Sequence, residues 1–198
     1  MVYIIVLALL AAFFYIPLSP DICAGPAKSR KKARVLCGRN DMNSLRYLNL
    51  RDCNIAFNFF GRSQVCPQSC LGLYSCLKSC THGAIEKDLS INAEKCIGCG
   101  ICVEVCPLDL IIMVEKPDKI FVACSTSMES SVVKKICREG CVKCYVCMDA
   151  CLLRAIAIDD RGLPVIDKDK CNSCLVCMRK CPTGAIRTDT SLLSGHDS

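Results

Sequence analysis

The chain has 198 residues, 21 of them cysteine, and a formal charge of +6 when every thiol is counted neutral. That length allows one or two domains, but cysteine at about a tenth of the residues is the level at which metals or disulfides, not a large apolar core, hold a small chain together. The count is odd and many cysteines stand three residues apart, which suits metal ligands better than a disulfide framework.

Residues 1 to 20 carry no charged side chain, and Val2 to Leu18 is almost wholly apolar with Tyr3 and Tyr15 near its ends. This is long enough for a membrane-spanning helix. A cleaved signal peptide competes with it, although the basic n-region and small-x-small cleavage site are missing. Lys28, Arg30, Lys31, Lys32 and Arg34 follow; by the positive-inside rule they keep the rest of the chain cytoplasmic, or they belong to a solvated linker. Residues 21–64 are read as this basic linker with a cysteine-containing segment.

From Cys66 the sequence repeats. Cys66, Cys70, Cys76 and Cys80 map onto Cys137, Cys141, Cys147 and Cys151 at an offset of 71, and Cys96 to Cys106 maps onto Cys171 to Cys181 at an offset of 75. The economical reading is a duplicated module, with copies at 65–115 and 137–188, a connecting hairpin and linker at 116–136, and a tail at 189–198. The connecting hairpin would pair Ile111 to Val114 with Ile120 to Ala123 around Lys116-Pro117-Asp118-Lys119. Inside the modules, Ala84-Ile85 would meet Leu89 to Ile91, and Ala155 to Ile158 would pair with Leu163 to Ile166.

The chemistry lies in the spacing. Cys96, Cys99, Cys102 and Cys106 before Pro107 read C-x2-C-x2-C-x3-C-P, and Cys171, Cys174, Cys177, Cys181 and Pro182 repeat it. Cys141, Cys144, Cys147 and Cys151 keep the spacing with Leu152 in the proline place. Roughly 0.03 such matches are expected by chance at this cysteine content, and three are present. Three thiolates on one tight turn reach three irons of one 4Fe-4S cube, while the fourth cysteine serves the cluster of the partner half. The expected sets are therefore Cys96, Cys99, Cys102 with Cys80; Cys141, Cys144, Cys147 with Cys181; and Cys171, Cys174, Cys177 with Cys151. The first motif is irregular: Leu73 stands where a middle cysteine belongs. Cys66 is expected to complete it, giving Cys66, Cys70, Cys76 and Cys106, against the alternative that this site binds nothing. Zinc competes throughout, but a run of three cysteines at spacing three does not make one tetrahedral site.

These sixteen cysteines predict about four 4Fe-4S clusters in an α+β fold of two tandem bacterial-ferredoxin modules behind an N-terminal transmembrane helix. Each cluster with its thiolates adds about −2, so four would turn +6 into about −2 and remove the case for nucleic acid. Cys23, Cys37, Cys53, Cys124 and Cys137 stay outside the scheme, as buried inert thiols or as ligands of an additional centre. His82 and His196 lack Rieske spacing. No G-x-G-x-x-G, P-loop or triad pattern occurs, so the chain is expected to pass electrons and leave two-electron chemistry elsewhere.

Val35-Leu36-Cys37-Gly38, Asp52-Cys53, Cys66-Pro67-Gln68-Ser69-Cys70-Leu71-Gly72-Leu73, and Val122-Ala123-Cys124 leading to Cys137 give the chain a resemblance, over roughly residues 33 to 187, to the B subunit of the Rnf ion-translocating ferredoxin:NAD oxidoreductase. The irregular first motif is itself a trait of that family. The resemblance implies an electron-carrier subunit with no catalytic site of its own. It would exchange electrons with soluble ferredoxin and relay them to other subunits of an inner-membrane complex, with its modules on the cytoplasmic side. A polyferredoxin-type subunit of a hydrogenase, formate dehydrogenase or other redox complex is the alternative. The family's further glycine-rich cysteine run has no counterpart here, since no C-x2-C precedes Cys66.

Overall fold

The computed structural model describes residues 30–38, 50–62, 65–116 and 120–188. The expected membrane helix, Cys23, His196 and the Pro117 corner lie outside the described residues. Among the described residues no helix is long and apolar enough to cross a membrane.

The elements are short. In the first half they are β1 (Lys31–Val35), α1 (Cys53–Phe60), α2 (Ser75–Ser79), α3 (Ile101–Glu104) and β2 (Ile111–Glu115). The second half contributes β3 (Ile120–Val122), α4 (Ser130–Ile136), α5 (Val146–Asp149), β4 (Ile156–Ile158), β5 (Pro164–Ile166), α6 (Val176–Lys180) and β6 (Ile186–Thr188). They make three two-stranded antiparallel sheets: β1 with β2, β3 with β6, and β4 with β5.

The β4–β5 hairpin has the register Ile156↔Ile166, Ala157↔Val165, Ile158↔Pro164, as the apolar-turn-apolar pattern predicts. Its counterpart in the first module shrinks to a single bridge, Ile85↔Ile91. The connecting hairpin does not form, because β2 and β3 do not pair with each other. Instead β2 closes back on β1, Val35↔Ile111 through Lys31↔Glu115, and β3 pairs with β6, Val122↔Ile186 through Ile120↔Thr188. Each module is thus closed by a strand from outside its expected bounds, β1 from the 21–64 segment and β3 from the 116–136 connection, paired with the module's last strand, which satisfies edge backbone groups.

The basic run is also not a solvated linker where it is described. Lys32 and Arg34 lie in β1 at 2% and 7% exposure. Strand alternation puts Ala33 and Val35 into the core with Cys76, Ile85, Leu89, Ile91 and Ile111. Arg34 goes to the other side, with its guanidinium 4.2 Å from the centre of the Phe121 ring in β3. A cation over a ring in a desolvated place contributes about 1–2 kcal/mol, and here it joins the two modules.

The apolar cores are small and each is built around thiols. One holds Cys53, Ala56, Leu71, Leu73, Leu108 and Leu110; another holds Ile120, Cys147, Ile156, Leu175, Cys177 and Ile186.

Candidate iron-sulfur centres

Four backbone turns share one conformation. Positive φ occurs at Gly72 and Tyr74 (75° and 58°), Gly98 and Gly100 (73° and 83°), Lys143 and Tyr145 (52° and 58°), and Ser173 and Leu175 (60° and 62°). Each pair lies four and two residues before a cysteine: Cys76, Cys102, Cys147 or Cys177. A left-handed non-glycine residue costs about 1–2 kcal/mol, so the strain at Tyr74, Lys143, Tyr145, Ser173 and Leu175 must be offset by what the turn does. Such alternation gathers successive N–H groups into an anion-binding nest, the shape that thiolates and cluster sulfides need. A helix of one turn or slightly more then begins, placing Cys76, Cys102, Cys147 and Cys177 in α2, α3, α5 and α6. The irregular first motif keeps this backbone in full, although Leu73 replaces the middle thiol.

Cavities show which cysteines meet. Cys80, Cys96, Cys99 and Cys102 line one cavity with Ile85, Ile101 and Met113. Cys151, Cys171, Cys174 and Cys177 line another with Ile120, Ile156 and Leu175. Cys141, Cys144 and Cys181 surround Cys147 closely enough to act on its thiol. In each of these three groups, three cysteines of one turn meet a fourth from the other half of the module.

The remaining quartet differs from the one read from the sequence. The cavity of the first motif is lined by Cys53, Cys70, Cys76 and Cys106, with Leu71, Leu108 and Leu110; Cys66 lies elsewhere, beside Cys37, Cys124 and Cys137. Pro67 follows Cys66, and the turn closed by Ser69 N–H on the Cys66 carbonyl at 2.9 Å carries that thiol away from Cys70. Cys53 is delivered by the start of α1. Asp52 caps this helix, its Oδ1 accepting from the N–H groups of Asn54 at 2.8 Å and Ile55 at 3.0 Å. Ser75, at the start of α2, accepts from Cys53 N–H at 2.8 Å and donates to Asp52 Oδ2 at 3.1 Å, which fixes Cys53 beside Cys76. Leu73, 7% exposed, seals the side on which Cys99, Cys144 and Cys174 are exposed in the other turns.

The sulfurs face backbone donors. Ala84 N–H lies 3.3 Å from Cys80 Sγ and Ala155 N–H 3.3 Å from Cys151 Sγ, the same contact in both modules, and Ala33 N–H in β1 lies 3.5 Å from Cys96 Sγ. Burial opposes Cys181 ionisation, but backbone hydrogen bonds from Ile186, Thr183 and Ala185 outweigh it and hold that thiol below its usual range. Elsewhere burial wins. Burial and the neighbouring Cys37, Cys76 and Cys53 push Cys70 up to about 12. Cys76 rises to about 11 through burial, Cys53 and Cys106, as does Cys102 through burial, Cys96, Cys99, Cys76 and Cys80. These groupings are poor places for four bare thiolates and good ones for thiolates neutralised by iron. When bound, a 4Fe-4S cluster would take up and release single electrons there, with N–H···S contacts and apolar walls tuning its potential.

The raised thiols set a pH dependence for the cluster-free fold. Their folded values exceed the unfolded one of about 8.5, so the stability they lend is complete below about pH 8.5 and is lost as pH rises toward 11 and 12. Iron-stripped protein is expected to lose residual structure over that window, whereas loaded protein, with no thiol protons to lose, is expected to hold through it; circular dichroism against pH reads both.

A second expectation concerns the cap. Asp52→Ala should lower stability by about 1 kcal/mol and speed iron loss to a chelator, because it loosens the helix end that presents Cys53. A denaturant midpoint and a chelation rate test the two parts.

Fold and sites define a protein of tandem 4Fe-4S binding domains: residues 89–112 and 164–187 match one 4Fe-4S binding domain family, and 138–153 match a second family of the same description. The chain is a 4Fe-4S protein. Over about two thirds of its length it is similar to the B subunit of the Na(+)-translocating ferredoxin:NAD(+) oxidoreductase complex of Acetobacterium woodii, 32% identical over 166 aligned residues that take in 66% of this chain and 50% of that one. It is also similar to the B subunit of the ion-translocating oxidoreductase complex of Methanosarcina acetivorans, 30% identical over 128 residues, 63% of this chain and 48% of that one. The resemblance to Rnf B subunits drawn from the motifs is borne out, and the chain spans about half the length of these relatives. A shorter stretch of 44 residues is 41% identical to pyruvate synthase subunit PorD of Methanothermobacter marburgensis, covering 22% of this chain and 54% of that one.

Proposed function

We propose that the chain is an electron-transfer subunit of an Rnf-like complex, relaying low-potential electrons between soluble ferredoxin and membrane-bound, ion-translocating partner subunits. The observation that supports this reading most is the succession of cysteine quartets, the sixteen-cysteine set of the sequence with Cys53 standing for Cys66. In the first module Cys76 is a close neighbour of Cys102, so its two quartets adjoin, as a relay requires. Cys99, Cys144 and Cys174 are exposed and offer electrons points of entrance and exit. Nothing in the motifs would hold a nicotinamide or flavin, so two-electron chemistry is assigned to partner subunits. The apolar residues 1–20 are assigned as the anchor, with the modules at the cytoplasmic face of the inner membrane.

Anaerobic mixing of the loaded chain with reduced soluble ferredoxin tests the assignment: rapid bleaching of its visible absorbance, weakening with salt if charged surfaces guide the encounter, is expected. Failure to be reduced by ferredoxin, with reduction by dithionite intact, would move the chain to a different donor. The similarity of one stretch to a pyruvate synthase subunit favours, as second reading, an iron-sulfur subunit of another redox complex. Co-purification separates the two, since membrane subunits come down with the chain only under the first.

A further inference from the structure

We propose that Cys37, Cys66, Cys124 and Cys137 form a fifth 4Fe-4S site at the junction of the two modules. This rests on the cluster-carrying reading above and extends it, because all four residues lie outside the regular turns.

The four cysteines line one cavity of about 30 Å³, against about 20 Å³ for each of the cavities of the first module's two quartets. They form two equivalent pairs. Cys37 lies two residues beyond the end of β1, and Cys124 two residues beyond the end of β3. Cys66 and Cys137 stand four residues before Cys70 and Cys141, at the repeat's own offset of 71. Each module thus contributes the same two positions, and the cavity sits on the pseudo-twofold relation between them. The strand ends meet there directly, Gly38 N–H donating to the Ala123 carbonyl at 2.8 Å.

The surroundings hold the four cysteine segments together and offer an unused polar group. Arg187 donates to the Gly38 carbonyl and lies 3.6 Å from Glu139, clamping the segments of Cys37 and Cys137. Gln68 Nε2 donates to Ser127 Oγ at 3.3 Å, tying the Cys66 turn to the Cys124 segment. Gly140 is required: a Cβ would come within 2.7 Å of Val133 Cγ1 and 3.2 Å of Cys137 Sγ. Ser125, also in the lining, has a buried hydroxyl with no hydrogen-bond partner, a donor suited to a cluster sulfur. Four thiolates on one zinc would stand about 3.8 Å apart. Among the described residues no three His, Cys, Asp or Glu are gathered tightly enough for a single ion, whereas a cube spreads its thiolates over four irons.

Position gives the site its role. Cys37 packs on the core that holds Cys53, and Cys124 packs on the core that holds Cys141. The junction therefore lies between the Cys53–Cys70–Cys76–Cys106 quartet and the Cys141–Cys144–Cys147–Cys181 quartet. An electron crossing it leaves one neighbour oxidised by one electron and the other reduced by one, and the junction cluster returns to its starting state. Five sites then form one line from Cys99 to Cys174.

The test is iron and sulfide per chain on anaerobically reconstituted full-length protein, for the wild type, Cys66→Ser, Cys124→Ser and the double variant. The expected result is about twenty irons in the wild type and about sixteen in all three variants, since both cysteines serve one cluster. Mössbauer areas of the wild type give the same number without any variant, and circular dichroism checks that the variants fold. About sixteen irons in the wild type and no loss in the variants would overturn the fifth site and leave the other four standing. A further loss of about four irons in the double variant would overturn it too, by placing the two cysteines at separate clusters. A wild type far below sixteen would sink the cluster-carrying reading itself.

Discussion

Replacing Cys53 by serine is expected to remove one whole cluster, about four irons and four sulfides per chain, although Cys53 stands outside the regular cysteine repeats. The structure puts it in the quartet with Cys70, Cys76 and Cys106, so Cys53→Ser and Cys106→Ala should each empty the same site and the double variant should lose no more than either alone. The sequence reading paired Cys66 with Cys106 instead. On the structural assignment Cys66 and Cys106 serve different places, and their combined loss should exceed the loss from Cys106 alone. Iron analysis of the three single and two double variants separates the assignments. A Cys53/Cys106 double that loses twice the iron of each single variant would return the site to Cys66.

The second large effect is on folding. Stripping iron with a chelator under reducing conditions is expected to abolish most of the cooperative structure of the chain. Two-stranded sheets are marginal alone, the helices among the described residues run from four to eight residues, well short of independent stability, and each apolar core contains thiols that the clusters would hold together. Cluster binding is then largely folding free energy. Far-UV circular dichroism before and after chelation should show a loss of most secondary structure, recovered on reconstitution. A stripped chain that keeps a sharp thermal transition near that of the loaded protein would show that the polypeptide carries its own fold.

These expectations also mark what could be read from the sequence. The regular motifs were legible because three of their ligands are local: C-x2-C-x2-C is a backbone turn, and Cys102, Cys147 and Cys177 all begin short helices after the same left-handed pair. Cys53 was not legible. Its place depends on Asp52 and Ser75 locking the start of α1 against the start of α2, and nothing in the spacing to Cys70 records that contact. Leu73 was the one available signal, since a turn missing its middle thiol must find a donor elsewhere, but it does not say where. Strand pairing failed for a related reason. Ile111 to Val114 and Ile120 to Ala123 are neighbours in sequence and look like a hairpin, while their true partners, β1 and β6, lie far along the chain and are fixed by module closure. The burial of Lys32 and Arg34 was hidden by their charge, and the ring that receives Arg34, Phe121, lies in the other module.

The most direct test of the account is a reductive titration of the anaerobically purified chain, followed by low-temperature EPR on samples with iron and sulfide counted. At least sixteen irons with matching sulfide, and reduced 4Fe-4S signals broadened by coupling between neighbouring clusters, are expected. Near-zero iron after reconstitution, or stoichiometric zinc with no reducible signal, would contradict it.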